Sequence, residues 1–250
     1  MTRARRRGLL SLVLLVLAPA TAAGCAASPR WQSELLPALS AARRDGAPMV
    51  VFFAAPGRQQ SDRMQTELHD PEVLDALADG GFTAVVADAT AHERLYADWV
   101  AGRDGFGIAV LGADGQPFAA RPGPQDPDEL AAFVRRCTAQ RGELAALRQR
   151  ATGPDAGPAD ALAFGALLLE LGCRREAELQ LVTAATGGVA DARHRLARLY
   201  ALDGDLVRAR RWLAAAPPTP AAMVSEGYLR QVGSLRADEA TLFLHRPHEQ

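Results

Sequence analysis

Lysine is absent from this 250-residue chain, and its strongly basic side chains are all arginine. That excludes Schiff-base chemistry and any phosphate-binding loop built on a lysine. Cysteine is nearly as scarce: there are three, and none falls between Cys25 and Cys137. A long apolar run is also missing. The uncharged stretch from Gly8 to Ala20 is shorter than the ~20 residues a membrane-spanning helix needs. Nor is there an excess of positive charge. The formal net charge is -1, and setting aside the first 25 residues removes four arginines and no acid, which leaves 24 arginines against 29 acids, or -5. An acidic body of this kind argues against nucleic-acid binding. What remains is an ordinary globular composition, 48% apolar, with length enough for two modest domains.

At the amino end Arg3, Arg5, Arg6 and Arg7 precede the apolar run, and Ala22, Ala23 and Gly24 lead into Cys25. Basic, apolar and small segments in that order form an export signal over residues 1–25. The segment Thr21-Ala22-Ala23-Gly24-Cys25 resembles the lipobox of bacterial lipoproteins, with Ala22 where a leucine is more usual. The resemblance implies lipid on Cys25 and a body held at a membrane, facing the periplasm or the cell exterior. Ordinary cleavage near Ala23, with Cys25 left as a plain thiol, is the alternative. The exported compartment favours disulfides, so Cys137 and Cys173 either pair or serve separately as small buried hydrophobes on helices.

Along the body, Trp31, Leu35, Leu36, Leu39 and Ala42 recur at helical spacing until Asp45-Gly46-Ala47-Pro48 breaks the pattern. Met49 to Ala54 is a continuous apolar run rich in branched and aromatic residues, as in a strand buried on both faces. Met64 and Leu68 mark a helix, and Asp70-Pro71 restarts one with a cap and a first-turn proline. Phe82 to Ala87 reads as a second strand, Leu95 to Val100 as a weaker helix and Phe106 to Leu111 as a third strand. Gly112-Ala113-Asp114-Gly115 supplies a tight hairpin, which returns Gln116 to Arg121 antiparallel. Asp126-Pro127-Asp128-Glu129 then carries a cap, a proline and a reciprocal acid. It opens a long helix with Leu130, Phe133, Val134 and Cys137 inward.

This is an α/β sandwich with a mixed sheet. Met64, Asp70-Pro71-Glu72-Val73 and Asp114-Gly115, in this order of elements, resemble the exported thioredoxin-like proteins over residues 31–140, within a domain spanning 26–150. Residues 151–160 read as a proline- and glycine-rich linker. Beyond it, Leu167-Leu168, Gly172, Ala177, Leu181 and Ala184 recur 32 residues later as Leu199-Tyr200, Gly204, Ala209, Leu213 and Ala216. The period and its turn glycine resemble tetratricopeptide repeats over 161–250, with a last helix around Met223 to Val232 closing the array.

A thioredoxin enzyme places two cysteines three apart at a helix start, where amides and helix dipole lower the thiol pKa. The register set by the resemblance puts Arg58 and Ser61 there, and Phe106 where the family has its cis-proline. Loss of dithiol redox activity follows. Arg58 and Ser61 at a helix start also suit a held anion or a plain helix cap. His69 and His92 are candidate bases for Ser61 only by being present. His245 and His248 are separated by Pro247 with no third ligand in view, so neither metal nor cofactor is expected. Trp99 and Trp212 read as core residues. The expected function is a membrane-tethered, redox-inactive binding or scaffold module that meets an envelope protein through its helical repeats. The alternative is a thiol-disulfide oxidoreductase that uses the non-standard cysteines Cys137 and Cys173.

Overall fold

A computed structural model describes residues 30–215. Cys25 and the rest of the expected export signal, the helix expected around Met223 to Val232, and His245 and His248 lie outside the described residues. The chain runs α1 (Leu35–Asp45), β1 (Met49–Ala54), α2 (Gln59–Glu67), α3 (Pro71–Asp79), β2 (Thr83–Asp88), α4 (Glu93–Trp99), β3 (Gly107–Leu111), β4 (Pro117–Pro122) and α5 (Pro127–Thr152). It continues through α6 (Pro158–Glu170), α7 (Arg174–Thr186), α8 (Ala190–Asp203) and α9 (Leu206–Ala214). The class is mixed α/β, with one four-stranded sheet in the order β2-β1-β3-β4. β1 pairs parallel to β2 and antiparallel to β3, and β3 pairs antiparallel to β4.

The two faces of the sheet follow from the alternation of side chains along a strand. In β1 every residue is buried. Val50, Phe52 and Ala54 face a core with Met64 and Leu68 near α2, Val73 and Leu77 of α3, and Leu130, Phe133, Val134 and Cys137 of α5. Met49, Val51 and Phe53 face the opposite core, with Leu35, Ala38, Leu39 and Ala42 of α1 and Tyr96 of α4. Each large side chain so buried contributes about 1.5–3 kcal/mol relative to exposure.

Local signals settle most element ends. Gly46 takes a left-handed φ of 66° and its N–H donates to Ala42, closing α1. The Asp70 carboxylate accepts from the Glu72 N–H at 2.8 Å, as a cap of α3 should. Gly115, at φ 71°, turns the β3–β4 hairpin. Asp126 departs from expectation. Its side chain makes no cap bond to α5 and instead lies 3.8 Å from Arg63, an exposed pair of little energetic weight.

The stretch 151–160 also differs from its reading as a linker. Residues 151 and 152 finish α5 and Pro158 begins α6, so only 153–157 lie outside a helix. The core beneath is continuous. Leu144 and Leu147 of α5, Phe164 and Leu168 of α6, and Cys173 and Ala177 belong to the same buried cluster as Phe52. The junction extends to the sheet edge, where the Ala120 N–H of β4 donates to the Leu171 carbonyl at 2.9 Å. Gly172, at φ +81°, lies so close that an added Cβ would stand 2.2 Å from the Ala120 oxygen.

The 32-residue repeat appears as two helical hairpins, α6–α7 and α8–α9. Gly172 and Gly204, equivalent in the repeat, both turn the chain at φ 81°. Ala177 and Ala209 are both fully buried, where a small side chain lets the paired helices approach. A third apolar cluster, including Leu181, Leu196 and Leu213, joins the hairpins.

Candidate functional site

Ala55-Pro56-Gly57 carries the chain from the end of β1 into α2, and Arg58 occupies the N-cap position in an extended conformation without a side-chain cap bond. Its guanidinium reaches across to the loop before β3 and donates to the Asp104 carbonyl. Gly105 lies directly beneath, with an ideal Cβ position 3.5 Å from the guanidinium carbon. Ser61, fully buried, is not a cap of α2. Its Oγ accepts from the Ala55 N–H at 2.9 Å and so ties the first turn of α2 to the end of β1. Phe106 is buried in the core that holds Phe52 and Met64, and its carbonyl accepts from the Gly123 N–H at 3.0 Å.

The structure thus brings Arg58 to the loop that leads into Phe106, with Ser61 at the base of the same corner. Sequence reasoning missed Tyr96 of α4, whose hydroxyl lies 3.1 Å from the Gly102 carbonyl and 3.3 Å from that of Phe106. Burial raises the Tyr96 pKa, the Asp104 charge adds to the rise, and Arg58 opposes it. The only sequence signal for Tyr96 is an aromatic on a weak helical pattern, which fixes a buried face but not a hydrogen-bond partner.

Every polar group singled out at this corner has a backbone partner, and none is aligned as a nucleophile with a base. His69 is exposed and His92 half-buried. Among the described residues, no group of three or more His, Cys, Asp or Glu side chains could hold a metal ion.

The two described thiols are free and buried. Cys137 lies inside α5, where burial pushes its pKa up to about 12 against the opposing charges of Arg121 and Arg136. Cys173, expected as a buried hydrophobe on a helix, is instead the N-cap residue of α7 and stands at a helix start. A helix start favours a thiolate, and the Glu176 backbone acts in that direction. Burial is the larger effect and again pushes the pKa up to about 12. The Cys173 thiol donates to the Pro117 carbonyl at 3.6 Å.

Two adjoining clefts of about 650 and 580 Å3 separate α4 and its following loop from the hairpins, and both are lined by Arg175 and Glu178. Their walls carry ion pairs between Arg174 and Asp203 and between Arg175 and Asp98, and the Arg103 guanidinium donates to the Asp203 carbonyl at 2.9 Å. Leu202 in one cleft is 50% exposed and Leu179 in the other 58%. Trp99 packs edge-on against Phe53 at 5.9 Å, a core role, and also lines the second cleft. Trp212 is half-buried against the hairpin core. Comparison with protein-family models and with curated proteins returned no match.

Proposed function

We propose that this chain is an exported, lipid-tethered protein with a redox-inactive thioredoxin-like unit, and that it binds an envelope protein through its helical hairpins. The observation that carries this reading is the corner at the start of α2. The two positions that would hold a dithiol are Arg58 and Ser61, and each is committed to a backbone hydrogen bond. The strand order β2-β1-β3-β4, with one parallel and two antiparallel pairs, supports the thioredoxin-like assignment. The 32-residue hairpin repeat supports the tetratricopeptide-like one. A lipid on Cys25 supplies the tether, and the half-exposed leucines of the hairpins supply contact area.

The hairpins share a core with the sheet, so the partner contact is tested by surface substitution rather than by deletion of 161–250. Crosslinking in the native envelope should capture a protein whose recovery falls about tenfold in the double variant Leu179→Glu, Leu202→Glu, as loss of well-packed interface residues does. Unchanged recovery with the fold intact by circular dichroism would remove the hairpins from the interface.

A second reading, thiol-disulfide exchange, has one observation in its favour: Cys173 stands at a helix start. Burial of that thiol and its raised pKa weigh against it.

A further inference from the structure

From Cys25 to Gln32 the chain takes seven residue steps, which span at most about 25 Å when fully extended. Gln32 is held on a rigid edge. Its N–H donates to the Ala84 carbonyl at 2.9 Å, and the Val86 N–H donates to its carbonyl at 2.8 Å, so it adds one parallel bridge outside β2. Trp31 beside it donates from Nε1 to the Leu68 carbonyl at 3.1 Å. The tether therefore ends on the sheet itself.

The opposite edge of the same sheet carries the helical hairpins. From Gln32 through β2, β1, β3 and β4 to Leu171 there are five successive hydrogen-bonded neighbours. At strand spacing this is about 24 Å, and each helix beyond adds about 10 Å. A compact body of this length is roughly 40 Å across, longer than the leash. Poses that place the hairpins between the sheet and the bilayer would lift Gln32 beyond the leash.

Resting on the proposed lipid at Cys25, we infer that the β2 edge and α1 face the bilayer and that the hairpins, with their two clefts, are presented away from it to a partner in the aqueous phase. The tether then fixes which surface is offered, besides keeping the protein at the membrane. Leu36 on α1, 59% exposed, marks the membrane-facing side, and Val207 at the start of α9, 79% exposed, marks the outer one.

The test uses the full lipidated chain in vesicles carrying a headgroup energy acceptor, with a donor dye on Leu36→Cys or on Val207→Cys. Cys137 and Cys173 are buried and should not label in the folded protein. Transfer should be severalfold stronger from position 36 than from 207, and a flexible insertion of about twenty glycine and serine residues after Ser28 should abolish most of the difference. Equal or reversed transfer from a chain that floats with the vesicles through Cys25 overturns the orientation alone. If the native chain does not float, or Cys25→Ser floats equally well, the tether fails and this inference fails with it.

Discussion

Ser61 is a polar side chain held inside the fold at the first turn of α2. Its hydroxyl is fully buried and accepts the Ala55 N–H at the end of β1. Replacing it with alanine leaves that half-buried amide without its acceptor, and an unsatisfied donor of this kind costs about 1 kcal/mol, the low end of the range for a fully buried one. Ser61→Ala should lower the unfolding free energy by that amount in urea titration. A shift below a few tenths of a kcal/mol would mean that water takes over the bond. The thiols give the second test at this scale. Cys137 and Cys173 are acids whose folded pKa is pushed up from the ordinary thiol value of 9.0 to about 12, because burial penalises the thiolate. An acid held protonated by the fold adds stability that is complete below its unfolded pKa and is lost as pH rises from about 9 toward 12. Replacing both with alanine should therefore flatten the fall in stability over that window, as read from denaturant midpoints at successive pH values.

Among the elements, the most informative is the turn that joins α6 to α7. Gly172 needs a left-handed backbone and leaves no room for a Cβ against Ala120, whereas Gly188, also left-handed at φ +92°, has nothing within 4 Å of its Cβ position. Gly188→Ala should cost only the conformational term, about 1–2 kcal/mol. Gly172→Ala should cost clearly more, because the backbone of β4 must shift as well. Equal costs would show that the hairpin is not seated on the sheet edge. Much of this layer was legible in the sequence. The apolar run Met49 to Ala54 is β1, the Gly112 to Gly115 turn returns β4 antiparallel, and Asp70 caps α3 as its Asp-Pro pattern suggests. What failed depended on contacts distant in sequence. Proline and glycine in 151–160 announce a break in helix, but they cannot reveal that Leu147 and Phe164 on either side share one core. The position of Cys173 differs: the repeat puts Gly172 in a turn, so a helix start at 173 is legible in the sequence. The capping role of Asp126 failed because acid, proline and reciprocal acid set a preference only, and the side chain can satisfy itself elsewhere.

For the whole molecule, both edges of the sheet carry a backbone-bonded neighbour. The sheet holds Gln32 on one edge and the hairpins on the other, and the corner at the start of α2 is closed by Arg58, Ser61 and Tyr96 through backbone hydrogen bonds. The partner binding proposed above requires no movement at that corner, and the clefts with Leu179 and Leu202 remain the accessible relief. The reading proposed above has this protein working without thiol chemistry. Disulfide-reductase activity of the full chain, measured beside its Cys137→Ser, Cys173→Ser double variant with a dithiol regenerant present, decides it. Both should run at the same uncatalysed background rate. Turnover by the native chain that disappears in the double variant would overturn the proposal.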